Sequence, residues 1–160
     1  MTVTASRPRP RPDEVARVTS TAAELLEVLW GRASTAPASA SQLRVLFVLE
    51  HQEGINLRTL ADSLASTPPS TSRLCDRLQA AGLVERVVSA TSRREVRLYL
   101  SRRGRAFLDD LRIRREHELR AVLDRMPAAK RTALLTGLEA FCDTAASQIH
   151  HDADSSPRSA

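Results

Sequence analysis

Residues 57–88 read LRTLADSLASTPPSTSRLCDRLQAAGLVERVV, and the fold turns on this stretch. Leu57, Leu60, Ala61 and Leu64 recur at helical spacing over two turns, and Ala65-Ser66-Thr67 leaves room only for a tight turn. Thr67 before Pro68 is a helix start: a hydroxyl to cap, then proline where an amide would lack a helical partner. The pattern predicts a helix from Pro68 to Ala81, stopped at Gly82. Its inward stripe is Thr71, Leu74, Cys75 and Leu78; Ser70, Arg73 and Arg77 point outward. After Gly82 the period changes to alternation. Leu83–Val88 and Glu95–Leu100 read as two strands, joined by the polar segment Ser89–Arg94.

Two short helices across a tight turn, followed by a hairpin with a basic tip, describe a winged helix-turn-helix. Such a second helix fits the major groove of DNA, and its outward side chains reach base edges. Ser70, Thr71 and Ser72 lie in its first turn, where hydroxyls and helix amides can hold a phosphate. Arg73 and Arg77 stand one turn apart, suited to reading guanine or gripping the backbone. Arg93 and Arg94 at the hairpin tip are placed for the adjacent minor groove. Between Ser66 and Arg105, nine arginines face only Asp76, Glu85 and Glu95, a net +6 against +5 for the whole chain. Asp76 is expected to pair with Arg73 or Arg77.

Upstream, Ser39–Gln52 carries Leu43, Val45, Leu46, Phe47, Val48 and Leu49 around most of its circumference, which predicts a helix buried on nearly all sides and closed by Gly54. Before a Ser/Thr/Pro-rich break at 33–38, Val15, Val18, Ala22, Leu25, Leu29 and Trp30 mark an amphipathic helix from about Asp13. Downstream, one helix spans roughly Ser101–Met126, with Leu108, Leu111, Leu119, Val122 and Met126 inward. Another opens at Pro127, with Leu134, Leu138, Phe141, Cys142, Ala145 and Ile149 as its stripe. The expected organisation is a disordered basic arm at 1–12, ending in Arg-Pro-Arg-Pro-Arg-Pro, and an N-terminal dimerisation helix with its linker at 13–38. A DNA-binding lobe at 39–100, C-terminal dimerisation helices at 101–149 and a disordered tail at 150–160 follow. The fold class is mainly α, with a two-stranded wing.

The totals agree with a soluble globular protein: 160 residues, 42% hydrophobic and 27% charged, with aromatics at 3%. A basic balance carried by arginine, with Lys130 the only lysine, favours an anionic partner, double-stranded DNA first. Cys75 and Cys142 form no motif and read as small buried hydrophobes in a reducing cytoplasm. No apolar run reaches membrane-spanning length and no signal peptide is evident. No carboxylate pair or Ser-His-Asp order stands out, and five glycines leave little for a phosphate cradle, so neither enzyme nor cofactor is expected. His150 and His151 with Asp152 and Asp154 lie in a polar tail and are not read as a metal site.

The stretch 57–100 resembles the DNA-binding core of the MarR family of bacterial regulators. The matching residues are Leu-Ala-Asp-Ser-Leu (60–64), Pro-Pro-Ser-Thr-Ser-Arg-Leu-Cys-Asp-Arg-Leu (68–78), Ala-Ala-Gly-Leu-Val-Glu-Arg (80–86) and Leu-Tyr-Leu-Ser-Arg-Arg-Gly (98–104). The resemblance implies a homodimer paired through its first and last two helices. It implies Ser70, Ser72, Arg73 and Arg77 facing the major groove, and Arg94 with Arg93 in the minor groove. Family members usually carry aspartates around the wing arginine; this chain holds Ser89 and Ser92 there. Peroxide-sensing relatives keep a reactive cysteine near the first helix, and this chain has none there. The resemblance also implies a small apolar or aromatic effector, for which Trp30, Phe47 and Leu108 are candidate lining residues. The expectation is thus a repressor on palindromic DNA, released by a ligand. A ligand-independent architectural protein and a protein-interaction module on the same fold are the alternatives.

Overall fold

In the computed structural model, which describes residues 10–33, 38–88 and 95–154 (backbone alone at 32, 33 and 149–154), the chain is mainly helical. Its elements are α1 (Pro12–Ala33), α2 (Ala40–His51), β1 (Ile55–Asn56), α3 (Leu57–Ser63), α4 (Pro68–Ala80), β2 (Val84–Val88), β3 (Val96–Leu100), α5 (Arg102–Leu123) and α6 (Ala128–Asp154). They fall into two compact units divided between residues 35 and 36.

The first unit is α1. It starts at Pro12, inside the segment expected to be an arm, because proline costs nothing at a first helical position. Asp13 and Glu14 occupy the first turn, where carboxylates complement the helix dipole. Val15, Val18, Leu25 and Val28 are exposed along it. Residues 1–9 of the arm lie outside the described residues.

The second unit is organised around Val45, Leu46, Leu49, Leu60, Leu64, Cys75, Leu78, Leu83, Val84, Leu98, Leu100, Leu108 and Leu111. A capping box starts α2: the Ser39 hydroxyl accepts from the Gln42 amide, and the Gln42 side chain accepts from the Ser39 amide. Gly54 does not close α2, which ends at His51 with Gln52 as its cap. At φ +73° it instead turns the chain into a third strand, donating its amide to the Leu98 carbonyl at 3.0 Å. The Tyr99 side chain lies over it, so that a Cβ there would sit 2.8 Å from the phenol oxygen. The two wing strands β2 and β3 are thus joined by β1 in a three-stranded antiparallel sheet, in the order β1-β3-β2. β1 pairs Ile55 with Leu98 and Asn56 with Arg97. Asn56 then caps α3 by accepting from the Thr59 amide at 2.9 Å.

Gly82, at φ +72°, reverses the chain from α4 into β2. A tight corner fixes the wing to α5. Ser101, itself buried, donates its hydroxyl to the Gly82 carbonyl at 2.7 Å and accepts from the Gly104 amide at 2.9 Å. Its own amide donates to the Leu83 carbonyl at 3.1 Å. Farther along, Arg112 of α5 holds Glu50 of α2 through two hydrogen bonds, one of 3.0 Å, and Arg105 pairs with Glu53. On α6 the apolar residues Leu134, Leu135, Leu138 and Phe141 are exposed. The sequence pattern stops near Ile149, yet α6 continues to Asp154, since no glycine or proline intervenes before Pro157.

The Arg112 hydrogen bond is the main cause holding the Glu50 carboxyl below its usual range, with burial opposing it. A depressed carboxylate stabilises the fold above its unfolded value, and that contribution is lost as pH falls through the folded value. Melting curves of Glu50→Gln and the unsubstituted protein should differ near neutral pH and converge below the ordinary glutamate range. The effect is modest, because Arg112 is well over a third exposed.

Candidate nucleic-acid interface

Helix α4 is anchored by what it buries. Thr71 and Cys75 are wholly buried, Leu78 nearly so, and Leu74 is half-buried. That inward stripe sets the opposite face, where Ser70, Arg73 and Arg77 are exposed and Ser72 is half-buried. None of the ion pairs among the described residues involves Arg73 or Arg77. Both guanidiniums thus lie on a helix held rigidly from behind.

Three expectations for this helix are corrected. The Thr71 hydroxyl is not turned outward: its side chain faces the core with zero exposure, and among the described residues its hydroxyl has no hydrogen-bond partner. Thr67 does not cap α4 through its hydroxyl, which donates to the Ser70 oxygen at 3.1 Å. Because Pro68 and Pro69 carry no N–H and the Thr71 amide bonds to the Thr67 carbonyl, Ser70 alone offers a first-turn amide. Asp76 pairs with neither Arg73 nor Arg77; it bonds Arg86 of β2 at 2.6 Å and ties the helix to the wing. Replacing Thr71 by valine should leave DNA affinity unchanged and stabilise the protein by about 1 kcal/mol, since a buried hydroxyl without a partner gives way to a methyl. Thermal melting and a binding titration check both halves.

The wing strands are paired to their ends: Val84 with Leu100, Glu85 with Tyr99, Arg86 with Leu98, Val87 with Arg97 and Val88 with Val96. Arg93 and Arg94, with Ser89 and Ser92, lie outside the described residues. Arg97 donates to the Gly54 carbonyl at 3.0 Å and meets Glu95 at 3.5 Å, so it serves the base of the sheet. Arg102 and Arg103, which the sequence reading did not single out, are exposed at the start of α5. Arg86 was missed too, because its link to α4 depends on a strand register that no local pattern displays.

Burial raises the pKa of Cys75 by disfavouring its thiolate, against the opposing charge of Arg86. A wholly buried, protonated thiol is chemically quiet. Cys142 is exposed in the single chain. Of the effector candidates, Leu108 is core, Phe47 is half-buried under the Arg115 guanidinium at 5.9 Å, and Trp30 is half-buried on α1. Among the described residues no cluster of His, Cys, Asp and Glu could hold a metal, and no helix is long and apolar enough to cross a membrane. The side chains of His150, His151, Asp152 and Asp154 are outside the described set.

Residues 38–95, which hold α2 through the end of the wing loop, match the MarR family. No curated protein matches the chain. Among solved structures it is similar to RV1404 from Mycobacterium tuberculosis, at 30% identity and a TM-score of 0.72, over 86% of this chain and 97% of that one. The transcriptional regulator Tm0710 from Thermotoga maritima shares the fold with a TM-score of 0.72 at 16% identity, over 86% and 98% of the two chains. The PcaV transcriptional regulator from Streptomyces coelicolor, solved in complex with its natural ligand, shares it at 20% identity and a TM-score of 0.51, over 89% and 99%.

Proposed function

This chain belongs to the MarR family of transcriptional regulators, and on that premise we propose that it represses transcription as a homodimer seated on a palindromic DNA site. The observation that carries the reading is the face of α4, where Arg73 and Arg77 stand exposed over a buried stripe. One such helix reads a few base pairs; a two-fold pair, placed about 34–36 Å apart in successive major grooves, reads a palindrome. Ser70 and Ser72 add contacts beside the arginines, and Arg93 and Arg94 supply the minor-groove contact.

Support for a dimer comes from the long helices. The exposed apolar residues Val15, Val18, Leu25 and Val28 of α1, and separately Leu134, Leu135, Leu138 and Phe141 of α6, are what a single chain in water would not leave bare. A second copy of the chain covers them. Release of DNA follows when a small apolar or aromatic effector binds one arrangement of the dimer better than the other. PcaV, solved with its natural ligand, supports an effector by analogy. Analytical ultracentrifugation of the protein alone and with a duplex tests the assembly. Two chains per duplex are expected, and a monomer that binds DNA singly would contradict the dimer.

A further inference from the structure

The wing carries an apolar feature that the arginine-based reading does not use. In an antiparallel pair, directly opposed residues share a face. Val84, Arg86 and Val88 of β2 therefore share one with Leu100, Leu98 and Val96 of β3. Val84, Leu98 and Leu100 are buried in the core, and Arg86 on the same face reaches Asp76 of α4. The row then runs on past its cover. Val88 is 57% exposed and its partner Val96 41% exposed, the last paired residues before the loop.

Their level follows from the chain reversal at Gly82. Moving up β2 is moving back along α4 towards its N-terminus. From the Arg86–Asp76 contact, two strand residues advance about 7 Å and four helical residues about 6 Å, which brings Val88 near the level of Ser72. If α4 lies in the major groove and the loop after Val88 in the adjacent minor groove, one sugar–phosphate strand must pass between them. The valine pair ends the paired part of the wing, within a segment of net charge +6 between Ser66 and Arg105. Resting on the DNA-binding reading above, we propose that Val88 and Val96 form an apolar seat for the deoxyribose faces of that strand. Arginine grips phosphates and is weakened by salt. This seat excludes water from sugar C–H groups, so its contribution is indifferent to both sequence and salt.

The test is fluorescence anisotropy on a mixed-sequence linear duplex over a series of KCl concentrations. It compares the unsubstituted protein with V88T/V96T, which keeps the β-branched shape of the strands, and with V88A/V96A. Both variants should bind about fivefold more weakly at every salt concentration, as loss of buried apolar contact requires, with the slope of log Kd against log salt unchanged. Arg73→Ala, in contrast, should make the slope shallower. Unchanged affinity in both variants would overturn the seat while leaving the DNA reading intact. So would a weaker affinity accompanied by a shallower slope, or a shift in oligomeric state, which would place a second copy on the pair. Failure of the unsubstituted protein to bind the duplex at all would overturn the DNA reading, and the seat with it.

Discussion

Replacing Arg73 and Arg77 together with alanine weakens binding to the protein's preferred duplex at least about 30-fold, on the basis of ~1–3 kcal/mol for each well-formed base contact. The melting temperature stays nearly unchanged. Both halves follow from the same geometry. The side chains are exposed and outside the ion pairs of the described residues, so the fold loses little with them. They project from a helix whose opposite face is locked by Thr71, Cys75 and Leu78, so the DNA loses contacts it cannot recover by a small shift. Lysine at the same positions separates charge from geometry. It keeps the positive charge but not the planar fork, so the salt dependence survives while discrimination between sequences falls. A double alanine variant that bound its duplex as well as the unsubstituted protein would remove α4 from the role of reader.

Gly104→Val should abolish stable folding, and Gly104→Ala should lower the melting temperature by roughly 10 °C, a loss of about 3 kcal/mol for a domain of this size. A Cβ at this position would lie 2.2 Å from the Leu83 carbonyl oxygen and 2.6 Å from a Leu100 methyl. The carbonyl cannot simply move aside, because it accepts the Ser101 amide that holds the corner between wing and α5. The helix-propensity gain of about 1 kcal/mol that alanine brings over glycine is too small to offset this. Melting by circular dichroism checks the stability, and a folded, undiminished Gly104→Val variant would refute the packing.

Much of the fold was legible because its boundaries are punctuated. Pro68 opens α4 and Gly82 follows its last residue by two, and the three- and four-residue spacing of Thr71, Leu74, Cys75 and Leu78 set its inward side. What stayed hidden was decided across the chain. β1 is two residues long, too short for alternation to register, and exists because Ile55 and Asn56 meet Leu98 and Arg97. Asp76 has two arginines as neighbours on its own helix, but the turn at Gly82 brings Arg86 closer in bonding geometry. Thr71 posed a conflict within the sequence itself: its hydroxyl suits a phosphate while its spacing suits the core. The spacing prevailed, since a residue midway along the buried stripe has nowhere else to point. The readings of Arg93 and Arg94 concern residues outside the described set, and they rest on the resemblance and on the wing strands that lead to them.

The central claim, a two-fold reader of DNA sequence, is tested most directly by selecting bound duplexes from a random pool and sequencing them. A palindromic consensus is expected whose half-sites repeat about one helical turn apart, and whose enrichment disappears with the Arg73→Ala/Arg77→Ala variant. Bound duplexes with no consensus, held by salt-sensitive contacts alone, would contradict it.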